Sequence, residues 1–136
     1  MNRKAFIILT IVFVFIMSFV WLIYFSPGSQ ERMERHIRKE FSMIEMPSNL
    51  ELKYSADFGD AVLDTMENWG VSYSYRNTDM NIGQQQLYDS AAETMLSNGY
   101  KVDKEEGWLI YASNAEIWMR INVVENNTVG FAVHEQ

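Results

Sequence analysis

Residues 115–134, AEIWMRINVVENNTVGFAVH, decide how this chain folds. Ile117, Met119, Ile121 and Val123 recur at every second position, and Val129, Phe131 and Val133 repeat the pattern. Side chains two apart in a strand share a face, so each run presents one aliphatic face. Asn126-Asn127-Thr128 between them is turn material, because Asn bonds its own backbone and tolerates a left-handed conformation. The two aliphatic sets meet on one side of an antiparallel pair only if opposed residue numbers sum to an even number, as when Val123 faces Phe131. A two-residue turn at Asn126-Asn127 gives an odd sum and buries the wrong face, so a three- or five-residue loop, or a bulge, is required.

The other side of this hairpin holds Glu116, Trp118, Arg120 and Asn122 from one strand and Ala132 and His134 from the next. In that register Arg120 lies across from His134, with Trp118 two residues along. Trp and Arg are the residue types enriched where binding energy concentrates. Trp118, Arg120 and His134 are therefore the candidate binding residues. The competing reading is that a second layer, such as the helix expected before residue 47, covers them.

Working outward, residues 100–103 and 108–113 read as two further strands. Before them Ile82 to Asn98 reads as a helix, with Leu87, Tyr88, Ala91, Ala92, Met95 and Leu96 in one wide apolar stripe. Asn81 with Gln84 resembles a capping box at its start. Asn98-Gly99 ends it, Gly99 taking the left-handed conformation while Tyr100 folds back on the last turn. Residues 71–76 alternate as a strand, as do residues 50–54; Asp57 to Asp60 reads as a loop, and residues 61–69 fit either a short helix or a strand. This order makes an α+β unit, one helix packed on a mainly antiparallel sheet built largely from residues 100–134.

At the other end of the chain, Ala5 to Phe25 runs AFIILTIVFVFIMSFVWLIYF without a charge. As a helix it covers about 31 Å, the hydrocarbon thickness of a bilayer. It is longer than the core of a cleaved signal and no A-x-A site follows, which favours an uncleaved anchor. Arg3 and Lys4 precede it, and a domain trailing a short basic amino terminus is usually exported. The expectation is a single-pass cell-membrane protein with a cytoplasmic amino terminus and an extracytoplasmic domain. Ser26-Pro27-Gly28-Ser29 breaks the helix, and Gln30 to Glu45 forms another, with Met33, Ile37, Phe41 and Ile44 in a narrow stripe. That juxtamembrane helix reads as a spacer packing on the domain rather than an interfacial helix, since its polar face is net neutral. The divisions are 1–28 for tail, anchor and breaker, 29–46 for the juxtamembrane helix, and 47–136 for the α+β domain.

All 18 acidic residues follow Gly28, against nine of the 11 basic ones, a formal −9 beyond the apolar run. Such a balance repels nucleic acid and anionic lipid headgroups. Without cysteine the chain has no disulfide, thiolate site or cysteine nucleophile. His36 and His134 are far apart, and neither sits in a metal-ligand pattern. Asp57, Asp60 and Asp64 lack the oxygen spacing of a calcium loop. Asn126-Asn127-Thr128 matches a glycosylation sequon, a tripeptide common by chance. The sequence calls for no metal, no cofactor, no small-molecule ligand and no catalytic residue.

Met46-Pro47-Ser48-Asn49-Leu50 entering a strand, and Leu87-Tyr88-Asp89 through Leu96-Ser97-Asn98-Gly99-Tyr100 leading into strands, resemble small bacterial cell-envelope proteins. Those carry one membrane or lipid anchor and a ββαβββ domain. The resemblance covers residues 46–136, departs at 57–70, and implies an envelope location and a non-enzymatic role. The leading expectation is a protein-binding module, an accessory subunit of an envelope complex. An immunity protein that blocks a basic toxin at the membrane is the alternative, motivated by small size, anchor and acidic domain. A small enzyme using paired carboxylates is the remaining one.

Overall fold

The structure is a computed structural model describing residues 2–24, 27–58 and 69–136. It falls into two units, residues 1–32 and 33–136. The first contains α1 (Arg3–Tyr24), a helix of 22 residues whose apolar side chains are exposed all round. The Thr10 hydroxyl donates to the Phe6 carbonyl at 2.9 Å, so this polar group is satisfied inside the helix. Next comes α2 (Pro27–Ser42). The expected breaker at 26–29 is thus partly helical. Proline is well placed at a first helical position, where its missing N–H would have had no partner.

The second unit is a six-stranded sheet with helices on one face. In chain order its strands are β1 (Leu50–Phe58), β2 (Gly70–Asn77), β3 (Lys101–Glu105), β4 (Leu109–Ser113), β5 (Ile117–Val124) and β6 (Thr128–Glu135). Their spatial order is β1-β2-β6-β5-β4-β3, every neighbouring pair antiparallel. The helix α3 (Gln84–Ser97) lies between β2 and β3 in sequence and carries the chain to the far edge, from which a meander returns to β6 beside β2. The sheet is therefore larger than the expected 100–134 core. β1 runs on through Asp57 and Phe58, where a loop was expected. The short element expected within residues 61–69, with Asp60 and Asp64, lies outside the described residues except for Trp69, which is buried.

The hairpin β5–β6 has the expected parity but not the expected pairing. Val123 faces Val129 and Ile121 faces Phe131, and the three-residue loop is Glu125-Asn126-Asn127. Glu125 takes a positive φ of 51° there. The reason lies outside the hairpin: Asn77, 2 % exposed, donates its Nδ2 to the Asn126 carbonyl at 2.6 Å, and its backbone N–H donates to the Asn127 carbonyl at 2.7 Å. A buried amide must be satisfied, and this one completes its donor pair with the loop, its Nδ2 donating also to the Asp79 carbonyl at 2.9 Å.

Both packed helices cover the same face. Phe41 of α2 stacks on Tyr73 with centroids 3.8 Å apart and meets Phe131 edge-on at 5.4 Å, while Ile37 and Ile44 are buried beside it. The Arg38 guanidinium lies 5.8 Å from the Tyr73 ring centre and donates to the Ser55 hydroxyl at 2.8 Å. The expected Glu34–Arg38 pair closes at 3.0 Å. Tyr88 of α3 donates to the Leu109 carbonyl at 2.8 Å, and Lys104, whose parity on β3 is that of the core face, pairs with Asp89 at 2.7 Å. Among the described residues two helices, not one, thus share the aliphatic face. The spacer reading of α2 holds, but its stripe is part of the core.

The ends of α3 differ in one respect from expectation. Its N-cap is Gly83, whose backbone N–H donates to Gln86 Oε1 at 3.2 Å, rather than Asn81 with Gln84. Its C-terminus is the expected Schellman turn: Gly99 has φ 86°, its N–H donates to the Leu96 carbonyl, and that of Tyr100 to the Met95 carbonyl. Leu96, expected in the buried stripe, is 59 % exposed. Successive residues rotate by about 100°, so an i,i+4 row drifts about 40° per turn. Leu87, Ala91 and Met95 stay over the sheet, and the row Tyr88–Ala92–Leu96 turns out of it at its last member.

Candidate functional site

The sheet face opposite the helices carries the side chains singled out by period two. Along β5 burial alternates strictly: Ile117, Met119, Ile121 and Val123 are buried, and Trp118, Arg120, Asn122 and Val124 are half-buried or exposed. Among the described residues no helix lies on this second face. Across it Trp118 pairs with His134 and Arg120 with Ala132, two residues along from the expected Arg120–His134 pairing. On the other side of β5, Tyr111 of β4 faces Arg120 and Ser113 faces Trp118.

The three candidate residues are thus brought together, but not on equal terms. His134 is only 8 % exposed; its ring stacks on Trp118 with centroids 4.1 Å apart and planes within 10°, and meets Phe58 edge-on at 5.1 Å. Its Nδ1 lies 3.3 Å from the Trp69 carbonyl, placed to donate to it. The histidine therefore acts as a shelf beneath Trp118. Gly70, opposite Phe58 in β1–β2, leaves room for the Phe58 ring, which comes within 2.8 Å of where a Cβ would stand. Around that shelf the accessible residues are Trp118, Arg120 and Tyr111 beside it, with Asn122 and Val124 exposed further along β5.

A second constellation was missed in the sequence. His36 of α2 lies with Nε2 3.0 Å from Glu116 Oε2 and Nδ1 3.5 Å from Glu135 Oε2. Glu40, one turn along α2, brings its carboxylate in as well, so that ligand atoms of His36, Glu40 and Glu116 lie within 4.8 Å of one another. The only sequence signal was the i,i+4 pair His36/Glu40; the other groups are 80 or more residues away. Tyr100 borders Glu40, and burial first, then the Glu40 charge, raises its phenol above the ordinary range. The backbone under Glu116 is fixed: its N–H donates to Asn114 Oδ1 at 2.8 Å and its carbonyl accepts from Gln136 N–H at 3.1 Å.

With this geometry in hand, comparison with known protein families, curated proteins and solved structures finds no match to the chain.

Proposed function

We propose that this protein is a single-pass membrane protein that holds its α+β unit outside the cytoplasm and binds a protein partner there, as a non-catalytic accessory subunit of an envelope complex. The anchor reading is supported by α1, whose large apolar side chains are all well exposed, from 39 % at Val20 to 73 % at Phe15. Water gives such a surface no partner, whereas lipid does, and a helix brings its own backbone bonds. The observation carrying the binding reading is that both packed helices occupy one sheet face, leaving Trp118, Tyr111 and Arg120 on the other. A flat aromatic on a rigid shelf beside a guanidinium loses little entropy on contact, which is what makes such residues binding anchors.

Two experiments test this. Alkaline carbonate should leave the intact chain in the membrane fraction, and release of intact protein would refute the anchor. A photo-crosslinking amino acid at position 120 should give a discrete adduct in cells, and one at Glu93, on the outward side of α3, should not. Equal adducts from both positions, or none from position 120, would refute the binding face.

A further inference from the structure

We propose that His36, Glu40 and Glu116 form a binding site for a divalent first-row transition-metal ion such as Zn²⁺, with Glu135 orienting the histidine. A neutral imidazole and two carboxylates are ligands such ions accept, and their two negative charges balance the ion. Around a tetrahedral ion with bonds of about 2.1 Å, ligand atoms stand about 3.4 Å apart. The 3.0 Å between His36 Nε2 and Glu116 Oε2 and the 4.8 Å limit for the set bracket that value.

Two features separate this group from an ordinary acidic patch. The first is the ring itself: Nδ1 faces the Glu135 carboxylate while Nε2 faces Glu116. A ligating histidine typically gives its second N–H to a carboxylate, which fixes the tautomer and raises the basicity of the coordinating nitrogen. The second is the rigidity of the mounting. Ile37 and Phe41 are buried and set the roll of α2, putting His36 and Glu40 on one face a turn apart. Glu116 stands on backbone held by Asn114 and Gln136. The formal −9 beyond the apolar run also favours the approach of cations. Three protein ligands leave a position for water or for a side chain of a bound protein. Glu116, expected by alternation on the Trp118 face, precedes β5 and brings its carboxylate to His36 of α2 instead, so the site does not include Trp118, Arg120 or Tyr111.

The test uses the full chain in detergent micelles, stripped with chelator and titrated with Zn²⁺ by calorimetry, with the two histidine rings followed by NMR. The expected result is one ion per chain, with shifts in the His36 ring and little change in His134. His36→Ala and Glu116→Gln should each weaken binding at least tenfold, and Glu135→Gln about tenfold or more, the usual effect of losing a ligand's orienting partner. All four side chains are partly exposed, and unchanged far-UV circular dichroism confirms that each variant is folded. Absence of saturable binding, or binding that His36→Ala leaves unaltered, would overturn the proposal and leave an ion-pair cluster only. Co²⁺ gives a second readout, since a bound four-coordinate ion absorbs strongly in the visible and an ion held loosely by carboxylates does not.

Discussion

Phe41→Ala probes the part of the architecture on which the rest depends, the incorporation of α2 into the core. The ring is 4 % exposed, stacked on Tyr73 at 3.8 Å and edge-on to Phe131 at 5.4 Å. Burying a phenyl side chain is worth about 1.5–3 kcal/mol. Each good aromatic pair adds about 0.5–1.5 kcal/mol, and the vacated space adds a cavity cost. The total matches the roughly 3–5 kcal/mol typical of buried Phe→Ala substitutions. A small domain has only about 5–15 kcal/mol to lose. Urea unfolding of the full chain in micelles, followed by tryptophan fluorescence, measures the change. Leu96→Ala, on a side chain 59 % exposed, should stay within about 0.5 kcal/mol. A Phe41→Ala effect under about 1 kcal/mol would mean that α2 is a tether beside the sheet rather than part of its core, since surface substitutions stay below that.

Gly70→Ala should destabilise by about 1–3 kcal/mol in the same assay, because overpacking forces backbone apart; its Cβ would run into the Val133 carbonyl oxygen and come within 2.8 Å of Phe58 Cζ. Gly130→Ala, whose Cβ meets nothing closer than the Asn122 carbonyl at 3.9 Å, should be neutral or slightly stabilising, and a larger loss there than at Gly70 would contradict the packing. The Asp89 carboxyl is held below its ordinary value, first by the hydrogen bond from Lys104 and then by that from Gln85. A lowered folded-state value contributes stability that is complete above the ordinary aspartate range and is lost as pH falls through the folded value. Lys104→Met should therefore raise the Asp89 midpoint in an NMR titration and narrow its melting-temperature difference from wild type on acidification; a widening gap would refute the pairing.

Legibility of the fold tracked how local each signal was. Period two at 117–123 and 129–133 gave the strands, their shared face and the even parity of the hairpin, because alternation is a property of the strand itself. The pairing within that parity was not legible, since it is set by Asn77 from β2 reaching into the loop. The stop at Gly99 is equally local and was legible, whereas the start at Gly83 was not, since Asn81 is the stronger cap by residue type and a glycine has no side chain to signal one. Leu96 was misplaced because a helical stripe drifts, and only the sheet beneath decides where it stops being covered. Trp118 and Arg120 were placed on the non-core face by alternation alone, but burial of His134 depends on Phe58, in an element expected to have ended before it. The His36 cluster gathers groups from the juxtamembrane helix and both ends of the terminal hairpin, and no spacing rule links them.

The binding claim is tested most directly by mild crosslinking of intact cells followed by recovery of the chain from solubilised membranes, with wild type compared against Trp118→Ala combined with Arg120→Ala. Both side chains lie on the face away from the helix-covered core, so the double variant should fold, as circular dichroism would verify. Losing an anchoring tryptophan costs about 2 kcal/mol or more of binding, roughly a thirtyfold drop in affinity. Loss of a discrete partner from the folded double variant, with the partner retained by Glu93→Ala, is the predicted result. Recovery of the same partners in the same yield from the folded double variant would contradict it.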